Sequence, residues 1–146
     1  MKLIKTLALL VALSSCAFSQ TYTWRQTLDA IRQVETGGEP NEGVGARGDR
    51  GNAIGPYQIW RVYHFDAAER DTGLTSYANC LNDKAYSERV MRSYMNRYNR
   101  ASLRRLEQGK GSLEDVIRTA RIHNGGPKGY RKQATLKYAK KVEAAL

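Results

Sequence analysis

Between Val34 and Ile59 one carboxylate closes a helical pattern and a second precedes a tight turn, and this stretch restricts the fold more than any other. Trp24, Leu28 and Ile31 recur at helical spacing. Glu35, four residues beyond Ile31, falls on the same face at about 100° per residue. A carboxyl on an apolar face is stripped of water, which favours the neutral form that a general acid needs. Gly37 and Gly38 then stop the helix, and a glycine-rich loop carries Asp49 between Arg47 and Arg50. The turn Gly55-Pro56-Tyr57-Gln58-Ile59 follows. One neutral and one ionised carboxylate on either side of a bond is how glycosides are cleaved.

The chain opens with Lys2, Lys5 and the apolar run Leu7 to Leu13, followed by small residues, which reads as a secretory signal too short to span a bilayer permanently. Two cleavage readings fit. Ala17-Phe18-Ser19 before Gln20 is a small-x-small site giving a secreted or periplasmic protein, whereas Leu13-Ser14-Ser15-Cys16 resembles a lipobox that would leave a lipoprotein tethered through Cys16. Residues 20–146 suit one domain with one core. Only Cys80 then remains, so no internal disulfide is available, and its expected role is that of a small buried apolar residue. The formal charge of +10 attracts polyanions; for an exported chain that means peptidoglycan and the anionic bacterial envelope rather than nucleic acid. Basic residues are densest from Lys128 to Lys141, a run without an acid that otherwise reads as a solvated helix face.

In order, Thr23 caps a first helix over Trp24 to Glu35, and the loop from Thr36 to Ala53, with six glycines, either stays irregular or forms a short β-hairpin. A short helix is expected from about Trp60 to Arg70. Asn82 or Asp83 caps the next, which places Ser87, Met91, Tyr94, Met95 and Tyr98 on one face and Arg89, Arg92 and Arg97 elsewhere. Ser112 and Asp115 form a capping-box start before Val116, Ile117 and Ala120, ended by Asn124-Gly125-Gly126-Pro127. A last helix, Lys132 to Ala145, groups Ala134, Tyr138, Val142 and Ala145. The fold class is therefore mainly α, an α+β domain of about five helices with an irregular or hairpin-like loop bordering a cleft. His64 and His123 have no ligand-like spacing, so no metal and no cofactor is expected.

Val34-Glu35, the Gly-Pro-Tyr-Gln-Ile turn, Tyr94-Met95-Asn96-Arg97-Tyr98 and Ala120-Arg121-Ile122-His123-Asn124-Gly125-Gly126-Pro127 together resemble the invertebrate-type, or destabilase-like, lysozymes. The likeness runs from about Ile31 to Val142 and implies a lysozyme-like fold. By position it implies Glu35 as general acid, Asp49 as second carboxylate, and Tyr57, Gln58, His123, Asn124 and Gly125 as substrate-binding residues. Two departures stand out. The family is disulfide-dense and this chain is not, Tyr86 and Arg89 standing where cysteines are expected, which fits a cysteine-poor bacterial relative. Some members also cleave isopeptide bonds with a Ser and the His of this motif, but the loop from Asp49 to Gly55 has no Ser.

The leading expectation is thus a muramidase hydrolysing the β-1,4 bond between N-acetylmuramic acid and N-acetylglucosamine. A lytic transglycosylase using Glu35 alone remains open, because Asp49 in Gly-Asp-Arg-Gly also reads as a plain turn residue. A non-catalytic cationic wall-binding protein is the third reading. Tyr57 and Trp60 beside the turn serve either sugar stacking or plain packing.

Overall fold

A computed structural model describes residues 20–38 and 40–146. The signal segment, with both cleavage readings and Cys16, lies outside them. Helix α1 (Trp24–Thr36) begins where Thr23 and Gln26 cap each other. The Gln26 amide donates to the Thr23 hydroxyl at 3.1 Å, and the Thr23 amide donates to the Gln26 side chain at 2.8 Å. It ends at Gly37, where φ is +67°. Leu28 and Ile31 are wholly buried and Trp24 packs half-buried beside them, so the face anticipated from spacing is the one turned to the core. Each of those two aliphatic side chains contributes about 1.5–3 kcal/mol by burial.

The glycine-rich segment folds into a small antiparallel sheet in the order β1 (Arg47–Gly48), β2 (Ala53–Ile54), β3 (Ile59–Trp60). Arg47 faces Ile54 and Gly48 faces Ala53 across the first pair; Ala53 faces Trp60 and Ile54 faces Ile59 across the second. A 3-10 turn, Asp49–Gly51, joins the first two strands. Gly55 opens the second connection at φ +74°, and a Cβ there would run into the Cys80 carbonyl, so only glycine lets this turn lie against the following helices.

The remaining helices are α2 (Arg61–Ala68), α3 (Asn79–Asn82), α4 (Lys84–Tyr98), α5 (Arg100–Glu107), α6 (Leu113–Gly125) and α7 (Leu136–Ala144). Helix α2 is shorter than expected at both ends, since Trp60 belongs to the sheet and Glu69 and Arg70 form a turn. In α4, capped by Asp83, Ser87, Met91, Tyr94 and Met95 are buried, while Arg89, Arg92 and Arg97 reach outward to Asp71, Glu107 and Glu69. Helix α5 departs from the expected pattern. It is split from α4 at Asn99, whose φ of −147° breaks the helix and whose buried amide is held by Thr119 and Arg118.

Helix α6 starts at the anticipated Ser112–Asp115 box and touches α1, α4, α5 and α7. Val116, Ala120 and Ile122 are its fully buried apolar residues, with Thr119 buried beside them; Ile117 stays half-buried on the outer side. The last helix starts later than predicted, at Leu136, because Gln133–Thr135 forms a 3-10 turn that leaves Ala134 exposed and buries Thr135. Tyr138, Val142 and Ala145 do turn to the core. Among the described residues no helix is long and apolar enough to cross a membrane.

Candidate active site

Glu35 occupies the last turn of α1, where the helix end brings its side chain out of the core while leaving it only 18% exposed. Oε1 accepts a hydrogen bond of 2.6 Å from the hydroxyl of Tyr138 on α7. Burial, followed by the negative charge of Glu35 and the bond to it, pushes the Tyr138 phenol well above its ordinary value, so it remains a donor at any working pH. His123, on the last turn of α6, places Nε2 3.3 Å from the same oxygen and 3.1 Å from the Tyr57 carbonyl. A carbonyl only accepts, which assigns the proton to Nε2 and leaves Nδ1 to accept from the Tyr63 hydroxyl at 3.4 Å. Tyr63 is fixed in turn by stacking on Tyr94, with ring centroids 3.6 Å apart. Three helices distant in sequence therefore converge on one carboxylate.

Asp49 follows β1 at the start of the 3-10 turn, with φ +44°, and is exposed. Asp tolerates this left-handed region better than most residues, and such backbone strain gathers at functional sites. Arg47 and Arg50 do not hold it. Among the described residues no ion pair includes Asp49. Gln58, itself at φ +47°, donates to the Gly55 carbonyl at 2.9 Å, and its carbonyl oxygen lies over Gly48, where a Cβ would collide with it.

Glu35 and Asp49 line one cleft of about 270 Å³ together with Ala53, Gln58, Trp60, His123 and Asn124. A second cavity of about 230 Å³ continues from it. The two share Trp60, His123 and Asn124, and the second adds Tyr63, Tyr94, Asp66, Val62, Gly126 and Pro127. Trp60, 47% exposed, stands where they meet. The result is a groove with two carboxylates at one end, aromatic walls along it and the side-chain amides of Gln58 and Asn124 between. Among the described residues neither cavity is lined by Ser, Thr or Cys, and Cys80 is sealed in the core. Among the described residues no three His, Cys, Asp or Glu side chains gather as a metal site.

Of the residues predicted from sequence, Glu35, Asp49, Gln58, His123 and Asn124 meet in the cleft. Two do not. Tyr57 has no exposed surface: its hydroxyl points away, donating to Glu88 on α4 at 2.7 Å, and Glu88 is held by both terminal nitrogens of Arg25. Only the Tyr57 carbonyl reaches the site, through His123. Gly125 lines neither cavity. A Cβ there would strike Thr135, and its carbonyl accepts from Lys132 at 2.6 Å, so its role is close packing of α6 on the segment before α7. Tyr138 and Tyr63 are the contributors that spacing did not single out. The one available signal was a phenol in the apolar stripe of the last helix, since a buried tyrosine needs a partner for its hydroxyl.

The chain is similar to known proteins in sequence and in fold. A family model described as Destabilase matches residues 25–145. The chain is 33% identical over 132 residues to Lysozyme 1 of Crassostrea virginica, an alignment covering 90% of this chain but 64% of that protein, so it spans just under two thirds of that relative's length. It is 31% identical over 128 residues to Invertebrate-type lysozyme 6 of Caenorhabditis elegans, covering 84% of this chain and 86% of the other. The crystal structure of Tapes japonica lysozyme superposes with a TM-score of 0.62 at 28% identity, over 86% of this chain and 93% of that one. The helices and three-stranded sheet described above thus form an α+β lysozyme-like fold, and the chain belongs to the Destabilase family.

Proposed function

We propose that the protein is an exported lysozyme-type glycosidase that hydrolyses the β-1,4 bond between N-acetylmuramic acid and N-acetylglucosamine in peptidoglycan. One observation carries this reading: the two carboxylates, Glu35 and Asp49, line the same cleft. Oε1 of Glu35 is taken by Tyr138, which leaves Oε2 to give its proton to the glycosidic oxygen as the bond breaks. Asp49 meets the positive charge developing at the anomeric carbon, either by bonding to it or by stabilising the oxocarbenium ion. Water, deprotonated by the now ionised Glu35, then completes the turnover and restores both groups. Trp60 offers a face for a sugar ring, and the amides of Gln58 and Asn124 suit the acetamido and hydroxyl groups of the glycan. The names of the relatives support the same substrate class. An isopeptidase reading is less well supported, since among the described residues no Ser, Thr or Cys lines the cleft to serve as nucleophile.

A second reading has its own observation. Asp49 sits in a turn conformation that Asp adopts readily and makes no ion pair among the described residues, as a purely structural residue would. Glu35 alone would then act as acid and base, and the muramyl 6-hydroxyl would close an anhydro ring. Release of reducing ends from purified peptidoglycan separates the variants. Glu35→Gln is expected to lose activity by about 10²–10⁴-fold, the usual contribution of a positioned acid. Asp49→Asn is expected to lose a comparable amount. Unimpaired release by Glu35→Gln contradicts catalysis at this cleft, and bacterial killing that survives the same substitution supports the wall-binding reading instead.

A further inference from the structure

The outer face of α6, turned away from His123, carries a second feature. Arg118, Arg121 and Tyr130 line a separate cavity of about 220 Å³, with Ile117 and Glu114 at its edge. Both guanidinium groups are fixed in place, and both are fixed by neutral acceptors. Arg118 donates through Nε to the buried Asn99 carbonyl oxygen at 3.1 Å and lies 3.8 Å from the centroid of the Tyr130 ring. Arg121 donates through Nε to the buried Thr135 hydroxyl and through Nη2 to the Lys132 carbonyl, each at 2.9 Å. Arg131 adds a third guanidinium 5.1 Å from the same ring.

This treatment differs from that of the chain's other anchored arginines. Arg25, Arg89, Arg92, Arg97 and Arg105 each meet a carboxylate at hydrogen-bond distance, whereas no ion pair among the described residues includes Arg118, Arg121, Arg131 or Lys132. Among the described residues Glu114 is the only acid lining the cavity, and it forms no ion pair with either arginine. The positive potential registers on Tyr130: burial pulls its phenol up, but the Arg118 and Arg131 guanidiniums outweigh that and hold it below its ordinary value. Fixed, uncompensated guanidiniums with free terminal N–H groups form a fork that matches a tetrahedral or planar oxyanion.

We infer that Arg118, Arg121 and Tyr130 form a phosphate-binding site for an anionic polyphosphodiester, the chemistry of a phosphate-linked wall polymer, on the side of α6 opposite the catalytic cleft. The cavity has room for a phosphate, and exposed Arg131 and Lys132, which adjoin Tyr130 and Arg121, suit the neighbouring repeats of a charged strand. A membrane surface fits less well, since the exposed Trp60, Val62 and Phe65 lie on β3 and α2 rather than around this cavity. Such a site would hold the enzyme on its target between cuts, independently of how the glycan is cleaved.

Calorimetric titration of the protein with a purified glycerol-phosphate polymer tests this. Arg118→Gln combined with Arg121→Gln is compared with Lys140→Gln combined with Lys141→Gln, which removes the same charge from α7. The first pair is expected to weaken binding by at least about tenfold more than the second, given charge-assisted hydrogen bonds in a fixed geometry, with release of reducing ends from phosphate-free peptidoglycan unchanged. In the wild-type chain the Nε–H resonances of Arg118 and Arg121 are expected to shift with polymer, and also with inorganic phosphate at higher concentration. Equal weakening by the two pairs, binding to anionic vesicles but not to the polymer, or unmoved arginine resonances would each overturn the assignment.

Discussion

Removing one oxygen, in Tyr138→Phe, tests how Glu35 is held. The phenol donates 2.6 Å to Oε1, and the ring packs against the core, so phenylalanine keeps the packing and deletes only the hydrogen bond. A hydrogen bond to a charged group contributes about 1.5–3 kcal/mol. The bond holds Oε1 and so fixes where Oε2 points; without it the carboxyl gains rotational freedom. At about 1.36 kcal/mol per factor of ten, kcat should fall by about tenfold to a hundredfold, while KM changes little, Tyr138 lining neither cavity. The assay is reducing-end release from soluble peptidoglycan fragments, alongside a thermal melt. An unchanged kcat, in a variant that melts like the wild type, refutes this reasoning.

Three further outcomes follow from the packing and the charges. Gly37 and Gly55 both have positive φ, but only at Gly55 does a Cβ collide with backbone; Gly37→Ala should cost about 1–2 kcal/mol from the left-handed backbone alone, and denaturant melts should show Gly55→Ala costing clearly more. Arg105 holds the Asp115 carboxyl well below its ordinary value of 3.8, and Glu88, though burial pulls it up, is held low by Arg25 and Tyr57. These depressed acids add stability above the unfolded-state values that is lost as pH falls through the folded ones. Melting temperature should therefore drop progressively below about pH 4, and less steeply in Asp115→Asn. Burial pushes the Cys80 thiol up to about 12. A chain starting at Gln20 should accordingly leave a thiol reagent unreacted at pH 8 when folded and react once in guanidinium.

What the sequence disclosed was what depends on near neighbours. Glu35 could be placed from the period of Trp24, Leu28 and Ile31, and the hairpin region from its glycines, because caps, turns and helix faces are set within a few residues. Asp49 and Gln58 came with it, carried on the same short sheet. Tyr57 was misplaced because a turn of mixed residues does not reveal which side chain faces in; the answer depends on Glu88, 31 residues away. Tyr138, 103 residues from Glu35, looked like one more apolar contact until α7 was packed against α1. Helix α5 was hidden because only Leu103 and Leu106 mark its buried side within an arginine-rich run. Arg47 and Arg50 flank Asp49 in sequence, but positive φ at Asp49 and Arg50 turns the chain there, and proximity in sequence does not become an ion pair.

Mass spectrometry of the soluble fragments released from purified peptidoglycan by the wild-type protein and by Glu35→Gln bears on the central claim most directly. Muropeptides ending in a reducing N-acetylmuramic acid, absent with the variant, are the predicted result. Anhydro-muropeptides would contradict hydrolysis and leave Glu35 as the sole acid/base of a transglycosylase, and fragments released equally by both proteins would contradict catalysis by Glu35.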